Sequence, residues 1–128
     1  MKILLDTCTF LWISRDAPEL SAAARKVFRD PDNEAFLSAV SVWELGVKYA
    51  LGKLPLPEAP DVFVAKFRER HGLASLPFTE DAALRVHKLP DVHRDPFDRM
   101  LVSQALAEGM VLLTPDPQIA AYPVQTLW

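Results

Sequence analysis

The sequence has one cysteine, Cys8, and three histidines, His71, His87 and His93, spread over 128 residues. One thiol cannot close an intrachain disulfide, and no Cys/His pair shows the spacing of a zinc site. Positive charge is also short: 14 Lys and Arg stand against 17 Asp and Glu, a net charge of −3. That balance argues against nucleic acid held on a broad basic face. A local basic rim stays open, because Lys66, Arg68, Arg70, Arg85, Lys88, Arg94 and Arg99 fall in one third of the chain. Solvated helix surface is the simpler account of those charges. Long apolar runs are missing as well. Ile3-Leu4-Leu5 is too short to read as a signal peptide, and nothing approaches the ~20 apolar residues of a membrane span. There are no internal repeats or low-complexity tracts.

What is present is ordinary for a globular domain: half the residues are hydrophobic and 24% are charged. The length suits one domain, residues 1–128, with a core of its own. A soluble, cytoplasmic protein is expected.

The pattern alternates strands and helices. Ile3-Leu4-Leu5, Ala35 to Ser38, Leu73 to Phe78, Met110 to Leu113 and Val124 to Leu127 read as strands. The first is continuously apolar, as in a strand buried on both faces of a parallel sheet. Helices are expected at Phe10–Ile13, from Ala22 behind a Ser21 cap, from Ser41 to about Leu51, over Asp61–His71, and from Thr79 to about Leu89. A further helix opens at Asp95-Pro96, with Asp95 as N-cap and Pro96 at N1, and a short turn follows near Gln118. The helix after Asp95 is apolar nearly all round and therefore expected to be buried on several sides. Ser41-Val42-Trp43-Glu44 has the form of a capping box. The fold class is α/β, a three-layer α/β/α sandwich around a mainly parallel sheet.

Four acids fall where such a fold presents chemistry. Asp6 and Asp116 directly follow strands, whereas Glu44 and Asp98 are expected in first turns of helices. Right-handed crossovers bring strand carboxyl ends and helix N-termini to one edge, where open α/β sheets bind ligands. An oxygen-only set of this kind suits Mg²⁺ or Mn²⁺ rather than zinc. Each acid also has a plain structural role available: a capping box for Glu44, a helix N3 position for Asp98, a Pro-flanked turn for Asp116. Asp6 is hardest to explain that way, since Asp is depleted in strands. Asp95 is read as a cap. Cys8, Trp12 and Trp43 are read as core.

Ile-Leu-Leu-Asp-Thr at Asp6, Ser-Ala-Val-Ser-Val-Trp-Glu-Leu at Glu44, Asp-Pro-Phe-Asp-Arg-Met-Leu-Val at Asp98 and Leu-Leu-Thr-Pro-Asp at Asp116 together resemble the PIN-domain ribonucleases. Among these the chain is most similar to the VapC-type toxins of toxin–antitoxin pairs. The resemblance covers the whole length in the right order. It implies a PIN-like fold, a Mg²⁺- or Mn²⁺-dependent endoribonuclease acting on RNA, a homodimer, and a small cognate antitoxin that blocks the site. By motif position it implies Asp6, Glu44, Asp98 and Asp116 as metal ligands and catalytic residues, with Thr7 and Thr114 as supporting hydroxyls. Cys8 departs from the pattern, because close relatives often have His or Asn there. Two other classes stay open: a Mg²⁺-dependent aspartyl phosphotransferase using Asp6, and a non-catalytic regulatory binder that keeps the fold. The phosphotransferase reading lacks the second Asp two residues after the first, a position held here by Cys8.

Overall fold

A computed structural model describes all residues, 1–128. Strand β1 (Lys2–Leu5) leads into helix α1 (Thr7–Ser14), followed by α2 (Ala22–Arg29), β2 (Glu34–Ser38), α3 (Ala39–Ala50) and α4 (Pro60–His71). Then come β3 (Ala74–Leu76), α5 (Glu80–Arg85), a 3₁₀ turn at Val86–Lys88, α6 (Pro96–Glu108), β4 (Val111–Leu113), α7 (Pro117–Ala120) and β5 (Thr126–Leu127). The five strands are all parallel, in the order β3-β2-β1-β4-β5.

Side chains alternate across the sheet, because successive strand residues point to opposite faces. Ile3, Leu5, Leu37 and Leu113 join Phe10, Ile13, Ala24, Phe63 and Phe67 of α1, α2 and α4 in one core. Leu4, Phe36 and Leu112 join Leu101, Val102 and Ala105 of α6 and Ile119 of α7 in the other. Helix α3 contributes to both, through Leu45 and Val40 respectively. These two cores make the three layers. The fully buried β1 residues at the centre of the sheet explain why its sequence is apolar without alternation. Helix α6 buries five consecutive residues, Leu101 to Ala105, as its apolar circumference requires. No helix is long and apolar enough to cross a membrane.

Four expectations need correction. Helix α3 starts at Ala39, not after Ser41, because the Ser38 hydroxyl takes the Val40 N–H at 2.9 Å and serves as the cap. No capping box forms, and Glu44 stands in the second turn of α3. Helix α1 begins at Thr7 rather than Phe10, since Asp6 itself caps it by accepting the Thr7 N–H at 2.7 Å. Trp43 is 56% exposed and so not core; its ring meets Phe97 edge-on, with centroids 5.2 Å apart. Trp12 is only partly buried and packs against Trp128.

Candidate active site

The strand order reverses at β1 and β4. Their carboxyl ends therefore face a crevice that no crossover covers, the place where ligands bind in doubly wound sheets. Asp6 ends β1 there, and Thr114 and Asp116 follow β4. Helix α3 enters from the β2 side carrying Glu44, and the N-terminus of α6 brings Asp98. All four acids line one cleft of about 200 Å³, with Thr7, Cys8, Leu11, Lys48 and Leu54. An apolar groove of about 270 Å³ shares Leu11 and Leu54 with it and runs on to Leu56, Phe63 and Phe67.

Hydrogen bonds fix the acids individually. Asp6 Oδ1 accepts the Thr7 N–H, while Oδ2 accepts the Thr114 hydroxyl at 2.8 Å and the Cys8 thiol at 3.2 Å. Thr114 in turn accepts the Asp116 N–H at 3.1 Å, coupling the two strand-end acids. The Thr7 hydroxyl donates to Glu44 Oε1 at 2.7 Å and makes a 2.9 Å hydroxyl–hydroxyl contact with Ser41. The Lys48 ammonium pairs with Glu44 Oε2. Asp116 Oδ1 caps α7 through the Gln118 N–H at 2.9 Å. Asp95 Oδ1 caps α6, taking the N–H groups of Phe97 and Asp98 at 2.9 and 3.3 Å. Asp98 is thus relieved of capping, and its carboxylate is turned to the cleft.

The electrostatics follow from crowding. Burial pushes the Asp98 carboxyl up to about 8, reinforced by the charges of Asp6, Asp95, Glu44 and Asp116. Burial also raises Asp6, and the Glu44 charge adds to this; the Thr114, Cys8 and Thr7 hydrogen bonds pull the other way and only partly offset it. Near neutral pH, Asp98 therefore holds a proton that a nearby cation would release.

Sequence reasoning placed the four acids, Thr7 and Thr114 at this edge. It did not single out Lys48 or His93, whose Nε2 lies 3.2 Å from Asp98 Oδ2. For Lys48 the signal was there, because a Lys four residues after a Glu on one helix sits on the same face. For His93 there was none, since a loop conformation sets its position.

The family model described as PIN domain matches residues 3–124. The chain belongs to the PIN domain family. Among individual PIN relatives, it is 37% identical to Ribonuclease VapC16 of Mycobacterium tuberculosis over an alignment of 75 residues that covers 56% of this chain and 52% of that one. The chain thus spans about half the length of the curated relative it matches. Its fold is similar to a chain in the crystal structure of VapBC2 from Rickettsia felis bound to a promoter DNA fragment. The TM-score there is 0.75 at 18% identity, covering 99% of this chain and 98% of that one. A second likeness is to DNA-bound VapBC from Salmonella typhimurium, with TM-score 0.70, 21% identity, and 99% and 97% covered. These likenesses carry the α/β/α PIN architecture.

No three His, Cys, Asp or Glu side chains are drawn together as a closed ligand set. An open cleft of carboxylates still suits Mg²⁺, which keeps several of its waters and takes only one or two protein carboxylates together with substrate phosphate. The donor chemistry fits too. Asp98 faces four other acids and keeps its proton among them, and a divalent ion would offset that crowding and release the proton.

Proposed function

We propose that this chain is an endoribonuclease that depends on Mg²⁺ or Mn²⁺ and acts as the toxin of a toxin–antitoxin pair. The observation that carries the reading is the lining of a single cleft, at the sheet's switch point, by Asp6, Glu44, Asp98 and Asp116 from four separate segments. Asp6 and Asp98 would be the principal metal ligands, with Glu44 and Asp116 ligating directly or through water. A divalent cation there supplies charge stabilisation for a phosphoryl oxygen and an activated water for in-line attack on the phosphodiester. The chain's own part is orientation. Thr114 and the Thr7 N–H hold both oxygens of Asp6, the Thr7 hydroxyl holds Glu44, and the Asp95 cap frees Asp98 to face the substrate. Glu44 or Asp116 would orient the attacking water.

The partner reading rests on charge and surface together. An acidic cleft that shares a rim with an apolar groove suits a segment bearing an Arg or Lys beside apolar side chains. A small antitoxin would offer such a segment and block the site. The homodimer belongs to the same proposal and is read by sedimentation of the purified chain.

The test is purified protein with total RNA and Mn²⁺, followed by sequencing of the cleavage ends. Cleavage that EDTA stops is expected. Cleavage undiminished in metal-stripped protein removes the mechanism, and a neighbouring gene product that neither co-purifies nor inhibits removes the antitoxin.

A further inference from the structure

Lys48 is the one basic residue lining the acidic cleft, and the function proposed above gives it no part. One helical turn places it over Glu44, and its ammonium takes Glu44 Oε2. The other oxygen, Oε1, already accepts the Thr7 hydroxyl. The two partners differ in freedom: the Glu44 side chain is 7% exposed, the Lys48 side chain 42%. Burial works against the Lys48 charge, but the Glu44 hydrogen bond and the charges of Glu44, Asp95 and Asp98 outweigh it and raise its pKa. The ammonium lies 6.0 Å from the centre of the Phe97 ring, one residue from Asp98. It therefore sits between the two helices that supply Glu44 and Asp98.

We propose that Lys48 is the cleft's resident counter-cation, displaced from Glu44 Oε2 when a divalent ion binds and then free to hold a non-bridging phosphate oxygen of the RNA. The second half rests on the nuclease reading. With Oε1 committed to Thr7, a metal that engages Glu44 must compete with the ammonium for Oε2. A phosphodiester entering a cleft of four acids needs cationic contacts, and Lys48 is the only one the lining residues provide. Lysine suits the task as a mobile point charge on a flexible stem. An ordinary surface Glu–Lys pair one turn apart on a helix contributes little, and it would leave metal affinity untouched.

The experiment compares full-length wild type with Lys48→Met and Lys48→Arg, by Mn²⁺ titration calorimetry and by cleavage of a single-stranded RNA at saturating Mn²⁺. Lys48→Met is expected to bind Mn²⁺ about two- to tenfold more tightly, because the competing cation is gone. Its kcat/KM for RNA is expected to fall at least about tenfold for loss of a charge-assisted phosphate contact. Lys48→Arg should recover most of the cleavage. Unchanged or weaker Mn²⁺ binding by Lys48→Met overturns the exchange, and full cleavage by it overturns the phosphate contact. Should Lys48→Met melt below the assay temperature, Lys48→Gln takes its place in both measurements. Wild type that binds Mn²⁺ but leaves RNA intact overturns the proposed function and the phosphate contact with it. Calorimetry then still decides the exchange at Glu44.

Discussion

Asp98 Oδ2 lies 3.2 Å from His93 Nε2, yet the two form no hydrogen bond, because the ring N–H is poorly aimed. His93 Nδ1 accepts the Asp95 N–H at 3.3 Å, so in a neutral ring the proton sits on Nε2, facing Asp98. The loop is clamped by Tyr122, whose hydroxyl donates to the His93 carbonyl at 3.2 Å and accepts from Arg99 at 3.0 Å. Asp98 thus has one misaligned donor against four neighbouring acids. Its carboxyl holds its proton to about pH 8 for that reason, after burial itself.

Stability without metal should therefore fall with rising pH. An unfolded Asp titrates near 3.8 and the folded one near 8, so between those values the folded chain binds a proton that the unfolded chain does not. The contribution is fully present below about pH 4, declines through the window, and is gone above about pH 8. Urea midpoints in EDTA at pH 5 and pH 8 check this, with Asp98→Asn as the control in which the slope shrinks to what the raised Asp6 contributes. Saturating Mg²⁺ should flatten the decline, because it binds the folded state with Asp98 ionised. An EDTA midpoint that holds steady or climbs between the two pH values contradicts the account.

Two neighbouring acids of α6 should behave in opposite ways. Asp95 accepts two backbone N–H groups, so Asp95→Ala removes a cap and costs about 1 kcal/mol. Asp98 accepts none of the helix's N–H groups. Asp98→Asn forfeits ~0.3–1 kcal/mol of helix-dipole interaction but relieves burial and four repulsions. In EDTA at pH 8, Asp98→Asn is expected to equal or exceed wild type in stability and to lose most of the Mg²⁺ response. If it is destabilised yet keeps the full Mg²⁺ response, Asp98 serves the helix and the site as described is wrong.

The parts of the molecule legible in the sequence are those with local causes. Pro96 behind Asp95, Ser21 before Ala22, and the glycines at 72 and 109, both left-handed at helix ends, set boundaries by backbone chemistry alone. The apolar run at β1 announced a central parallel strand in the same way. Where a tertiary contact intervened, the local signal failed. Ser41 reads as the cap of α3, yet Ser38 caps it, its hydroxyl also donating to Gln104 Oε1 of α6 at 2.5 Å. No local pattern encodes a partner 66 residues away. The exposure of Trp43 has the same origin: adjacent to Glu44 on α3, it falls off the face that the helix buries.

Gln104 should be a costly residue to change for that reason. Fully buried on α6, it takes the Ser38 hydroxyl proton and gives its amide N–H to the Pro77 carbonyl at 3.0 Å. Gln104→Leu keeps approximate volume but strands the buried Ser38 hydroxyl, whereas the carbonyl of the exposed Pro77 can turn to water. An unsatisfied buried group costs about 1–3 kcal/mol, so urea unfolding should show a loss of that order. A loss well under ~1 kcal/mol would mean that water reaches Ser38.

Cys8 lies in the cleft, and its chemistry should nonetheless be passive. Its thiol donates to Asp6 Oδ2 at 3.2 Å. Burial, then the Asp6 charge and that hydrogen bond, push the thiol well above the ordinary cysteine range. A thiol held protonated is neither a nucleophile nor a metal ligand. Its value lies in being one of three donors that favour the Asp6 carboxylate over its acid. Cys8→Ser keeps a donor and should retain metal-dependent cleavage to within about twofold, roughly 0.4 kcal/mol. Cys8→Ala deletes it, so the Asp6 pKa should rise further and Mn²⁺ affinity at pH 6 should weaken more than at pH 8. Iodoacetamide should label the folded wild type at neutral pH far more slowly than the urea-unfolded chain. Rapid labelling of the folded protein, or loss of cleavage in Cys8→Ser with Mn²⁺ binding intact, would give the sulfur a chemical role that this geometry denies it.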